Sequence, residues 1–194
     1  MIKEFLIFKL DYLNSVDIDL DHLFDLYNNQ KQGLDAALMS VLVKITNHTR
    51  EYNELEMLKK TLSLQSTLKT AQQGIDPLTL ENVKLYRNTF LRKICYRIIN
   101  EMGDYFTRCK QEAEANILKI KDLTTQLILV GLQQKVILPT DIKSSYTTEE
   151  VNQLWAKLLK NEETYLFQQN LCLIGNKQDV LTIFEDLILR LEIG

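Results

Sequence analysis

The sequence predicts an all-α protein, and three observations carry that expectation. The 194 residues hold only six Gly and two Pro, too little turn chemistry for the many short strands of an all-β fold. Two long stretches, 34–73 and 91–120, set their apolar residues three and four apart, the spacing of one helix face. Thr147-Thr148-Glu149-Glu150 is a capping box that opens a further helix. The arrangement expected from these signals is a long antiparallel helical hairpin, residues 34–131, packed with an N-terminal helix and a C-terminal helical pair. Residues 1–136 would form the hairpin domain and 148–194 the pair, together one structural unit.

At the N-terminus Ile2, Phe5, Leu6 and Leu13 fit a helical stripe, although IKEFLIFKL also reads as a short strand. In SVDIDLDHLFDLY, Asp17 or Asp19 can cap a helix that buries Leu20, Leu23, Phe24 and Tyr27. Asn28 to Gly33 reads as a turn. From Leu34 to Gln73 there is no Gly or Pro, and Leu34, Leu38, Val41, Ile45, His48, Tyr52, Leu55, Lys59 and Leu62 recur every 3.5 residues on average, a coiled-coil period. A single helix of roughly 60 Å is expected there.

Gly74 then supplies a left-handed stop, and Asp76 with Pro77 supplies the cap and first turn of the second long helix. That helix carries Leu91, Ile94, Ile98, Met102, Tyr105, Cys109, Ala113, Ile117 and Ile120 on one stripe, with Gly103 as a place to bend. Residues 137–147, around Pro139, form the clearest connector. After it Val151, Leu154, Trp155, Leu158, Leu159 and Leu166 make one apolar face.

The stretch LCLIGNKQDV, 171–180, has two structural readings. In one a helix ends near Ile174, Gly175 is its left-handed cap, and Asn176 caps a last helix that buries Val180, Leu181, Phe184, Leu187, Ile188 and Leu191. In the other, a small β-hairpin near 166–184 holds Leu173 and Ile174 at its tip. The stretch also contains Asn-Lys-x-Asp, the guanine-reading tetrad of GTPases. That tetrad works only beside a phosphate-cradling loop, and glycines at 33, 74, 103, 131, 175 and 194 leave no G-x-x-x-x-G-K-[ST].

Other chemistry is equally thin. Asp17, Asp19 and Asp21 alternate as in a calcium loop, but His22 stands where its glycine belongs and Asn28 where its final glutamate belongs. Cys95, Cys109 and Cys172 are too scattered for a disulfide framework or zinc site. His22 and His48 have no recognisable nucleophile beside them. No catalytic, cofactor-binding or metal-binding residue is assigned, and the expectation is a non-enzyme without cofactor. The lack of a leader pattern or spanning segment points to the cytoplasm.

The function expected is protein–protein interaction, of an adaptor, scaffold or effector type, through exposed helix faces or a loop tip at Leu173, Ile174, Gly175 and Asn176. The apolar ending LILRLEIG suggests self-association or continuation into a longer chain. An alternative is anion binding to nucleic acid or an anionic membrane. Lys84, Arg87, Arg92, Lys93 and Arg97 lie between Glu81 and Glu101 with no acid among them, interleaved with Tyr86, Phe90 and Tyr96.

Overall fold

The computed structural model describes residues 5–83, 86–160 and 162–191, the backbone alone at 162 and 163. These residues form seven α-helices and no strand: α1 Leu6–Asn28, α2 Leu34–Glu51, α3 Leu55–Gln72, α4 Arg87–Gln133, α5 Thr148–Leu158, α6 Glu162–Ile174 and α7 Lys177–Leu189, with a 3-10 turn at Pro139–Asp141. The chain divides into two compact units, Asn14–Arg108 and Met1–Leu13 with Cys109–Gly194. The connector 137–147 lies inside the second.

In the first unit an antiparallel hairpin is present, but it is α2 against α3 and half the expected size. The helix expected over 34–73 stops at Glu51. The Glu54 N–H donates to the Thr49 carbonyl (2.9 Å) and the Asn53 N–H to the Arg50 carbonyl (3.4 Å), while Asn53 takes the left-handed conformation at φ 58°. This is a Schellman stop made with asparagine instead of glycine. Beyond it the coiled-coil stripe fails: Tyr52, Leu55, Lys59 and Leu62 are exposed, and α3 buries Met57, Thr61, Leu64, Gln65, Leu68 and Ala71 instead. The antiparallel register is fixed by two side-chain bonds, Gln65 Nε2 to Thr46 Oγ1 (2.8 Å) and Gln72 Nε2 to Asp35 Oδ2 (2.9 Å).

The N-terminal segment is one continuous helix. Asp17 and Asp19 lie within it and cap nothing, because the backbone of α1 is already helical from Leu6. Asp19 is used in an ion pair with Lys44 (2.7 Å). Val16, Leu20 and Leu23 are its buried face in this unit. The α4 stripe is as expected: Ile94, Ile98, Met102, Ala113 and Ile120 are buried and the others half-buried, and the helix runs on through Gly103. Its start is not as expected. Asp76 and Pro77 do not cap it; α4 begins at Arg87, ten residues later.

The second unit packs around Ile120, Leu127, Ile128, Leu158, Leu171 and Phe184, with Trp155 set edge-on to Phe184 at 5.2 Å between centroids. The expected C-terminal pair is three helices, since the chain turns after Leu158 and Leu166 falls on α6, exposed. The Thr164 hydroxyl, fully buried, donates to the Leu158 carbonyl and so satisfies the end of α5. The Thr147 capping box is present, with Glu150 N to Thr147 Oγ1 at 3.3 Å and Thr147 N to Glu150 Oε2 at 2.8 Å.

No β-hairpin occupies 166–184; α6 and α7 meet at Gly175-Asn176, and Asn176 Oδ1 accepts from the Asp179 N–H (2.9 Å) as the cap of α7. Gly175 is not left-handed. A Cβ there would lie 2.5 Å from Ile120 Cδ1, so the buried end of the Ile120 side chain would have to shift to admit one.

Candidate functional site

The feature that stands out is the loop between α3 and α4. Gly74, at φ 82°, ends α3 by the same Schellman geometry, Ile75 N–H to Thr70 carbonyl (3.2 Å). Glycine is favoured there. The backbone is left-handed, and an added Cβ would sit 3.3 Å from Arg87 Nε. The Arg87 guanidinium in turn donates to the Gln72 carbonyl at the end of α3, where a cation also meets the negative end of the helix.

From Ile75 to Val83 the loop closes on itself. Ile75 and Asn82 form an antiparallel bridge. The Val83 N–H donates to the Gly74 carbonyl (2.8 Å), Asp76 N–H to Glu81 (2.9 Å) and Leu80 N–H to Asp76 (2.8 Å). Asp76 Oδ1 accepts from the Leu78 N–H (2.8 Å), an Asx turn locked by Pro77. Most of the loop's backbone N–H groups are therefore satisfied locally, and residues Leu78 to Asn82 are exposed. Leu78 is 74% and Leu80 75% exposed.

Leu80 is also at φ 60°. A leucine in the left-handed region costs roughly 1–2 kcal/mol that a glycine would not. Such strain persists where the surrounding backbone bonds over-determine it, as the bond from the Leu80 N–H to the Asp76 carbonyl does here. After the loop, Tyr86 is 83% exposed and left-handed as well, at φ 56°.

The site expected at residues 173–176 is only partly available. Leu173 is 77% exposed, but Ile174 is half-buried, Gly175 is buried against Ile120, and Asn176 is engaged as a cap. Leu78 and Leu80 are not legible as a site in the sequence, because Asp76-Pro77 also fits the cap and first turn of a helix. The available signal was the short Asp-Pro-Leu-Thr-Leu run, where Asp and Pro also suit a turn.

The basic run is divided. Lys84 lies outside the described residues. Arg87 closes α3, as above. Arg92 donates to the Tyr27 and Lys31 carbonyls at the end of α1 and stacks over the Tyr27 ring at 5.1 Å, with Tyr96 stacked on that ring at 4.6 Å. Lys93 is exposed and Arg97 half-buried, and the ion pairs among the described residues include neither.

The groups able to do chemistry are dispersed. Among the described residues no cluster of three His, Cys, Asp or Glu could hold a metal ion, and no helix is long and apolar enough to cross a membrane. Burial lowers His48 below the ordinary imidazole value, with Glu51 opposing, and its ring packs on Tyr52 at 4.6 Å. Burial and the nearby Asp35 push the Cys95 thiol up to about 12, so it stays protonated and unreactive. A groove of about 490 Å³ between α5 and α7 is lined by Phe5, Val151 and Leu181 among polar side chains.

No protein-family model, curated protein or solved structure matches the chain.

Proposed function

We propose that the chain is a non-catalytic protein-binding module that engages a partner protein through the 75–83 loop. The observation that carries this reading is the display of Leu78 and Leu80, each about three-quarters exposed, on a loop held rigid by its own hydrogen bonds and strained at Leu80. Two leucines on a preformed loop lose little conformational freedom on docking, so most of their burial is converted into affinity. The complementary surface is an apolar pocket. Asp76 and Glu81 flank the leucines, which favours a basic rim around it.

The anion-binding alternative draws less support. Two of the four described basic side chains, Arg87 and Arg92, are already spent on helix-terminal carbonyls. A phosphate contact needs a free cationic side chain to displace the counterions condensed on the nucleic acid.

The test is capture from a lysate of the source cell by immobilised wild type and by the Leu78→Asp/Leu80→Asp double variant. A protein retained stoichiometrically by the first and lost by the second, with melting temperature maintained, is the expected result. Identical capture by both overturns the loop assignment. Steeply salt-dependent binding to anionic vesicles or single-stranded DNA, lost on Lys93→Glu/Arg97→Glu, would favour the alternative instead.

A further inference from the structure

The groove of about 490 Å³ between α5 and α7 is lined by the apolar side chains of Val151 and Leu181 and by two opposite charges on α7, Lys177 and Glu185. The ion pairs among the described residues include neither charge. Phe5 lines the same groove and is 49% exposed. The next residue is pinned: the Leu6 N–H donates to Asp179 Oδ2 (2.7 Å). The backbone at Phe5 is therefore held beside the first turn of α7. Residues 1–4, which lie outside the described residues, join the chain at that end of the groove.

Length and charge both suit these four residues to the groove. Lys177 and Glu185 are eight residues apart on one helix, about 12 Å along its axis. Four residues of extended chain reach about 13 Å. Part of that reach sets Ile2 over Leu181, which lies about 6 Å along α7 from Lys177. The charges then come in matching order. Glu4, adjoining Phe5, falls at the Lys177 end, and Lys3, one residue farther out, extends its long side chain toward Glu185.

We propose that residues 1–4 occupy this groove, with Ile2 covering Val151 and Leu181, Glu4 beside Lys177 and Lys3 paired with Glu185. A free tetrapeptide would hold so small a surface only weakly. Joined directly to Phe5, the segment acts at an effective concentration on the order of millimolar, so even an intrinsic Kd of about 1 mM keeps the groove substantially filled. Any other ligand reaches Val151 and Leu181 only by displacing the chain's own N-terminus.

Nuclear Overhauser spectroscopy on the full chain, labelled at the Ile, Leu and Val methyl groups, tests the placement. The Ile2 δ1 methyl is expected to show contacts to the methyls of Val151 and Leu181. Glu185→Lys should weaken those contacts about twofold or more, through repulsion from Lys3 and loss of the pair. Lys3→Glu/Glu185→Lys should restore them, since the same pair is rebuilt with its signs exchanged. An Ile2 methyl without contacts to Val151 or Leu181 in the wild type overturns the proposal. A double variant no stronger than Glu185→Lys alone overturns the charge pairing that sets the direction of the segment. A sample mixing chains labelled only at Ile with chains labelled only at Leu and Val should show no such contacts. Contacts in that sample would mean that the segment comes from a second copy, and would overturn occupancy from within. The groove shares no residue with the 75–83 loop, so Leu78→Asp/Leu80→Asp should leave the Ile2 contacts unchanged whatever its effect on partner capture.

Discussion

At the scale of single residues, the left-handed positions decide where this chain turns. Four helices end in the same hydrogen-bond pattern, with Gln30, Asn53, Gly74 and Lys135 in the left-handed place. Only Gly74 announces itself in the sequence. Asn53 is the next most tolerant residue there, since its short polar side chain visits that region at least cost; Gln30 and Lys135 give no local warning at all. This is why the stop at Glu51 was not legible while the stop at Gln72 was. Lys135, exposed and at φ 57°, makes the cost measurable. Lys135→Gly should stabilise the protein by about 0.5–1 kcal/mol, the relieved strain outweighing the greater freedom of glycine in the unfolded chain. Asn53→Gly should gain less. Parallel thermal melts of the two variants check the order.

At the scale of elements, helix ends are held by residues far away in sequence, which pattern reading cannot reach. The Asp179 carboxylate, 3% exposed, accepts from the Leu6 N–H (2.7 Å) and the Ile7 N–H (3.3 Å) and so caps α1 from α7. Asp179→Ala should cost about 1–2 kcal/mol and raise amide exchange in the first turn of α1. Burial pushes the Asp179 carboxyl above its ordinary value, with the two N–H groups opposing. A raised folded value means that the native state holds the proton more tightly, so this group alone favours the fold as pH falls toward the unfolded value.

Glu150 runs the other way. Its bond to Lys143 (2.6 Å) and its place in the Thr147 capping box hold it down to about 2, from an ordinary 4.5. The support it gives is complete above pH 4.5 and is lost as pH falls to about 2. Exchange at the N-terminus of α5 should therefore rise across that window, and Glu150→Gln should flatten the rise. An exchange profile equally steep in that variant would contradict the assignment. By contrast, this capping box and the cap at Asn176 were legible because each lies within four residues of its partner.

At the scale of the whole molecule, the helical class followed from glycine and proline scarcity and from stripes that the structure largely keeps, as in α4, α5 and α7. The surfaces that would make it a binding protein were less accessible. Leu173 is displayed at the end of a helix, the first of its two sequence readings, while Leu78 and Leu80 fall before a helix that starts later than Asp76-Pro77 suggests. Exposure depends on what packs against a residue, whereas periodicity reports only its spacing. On the proposed reading, Leu80 keeps a costly left-handed conformation because binding requires its side chain. Leu80→Gly should then act with opposite signs on stability and on recognition. Measured side by side, its melting temperature should rise by about 2–4 °C, while retention of the partner captured by the wild type should fall at least tenfold, about 1.4 kcal/mol. Retention unchanged from wild type would contradict the claim that this loop is where the protein binds.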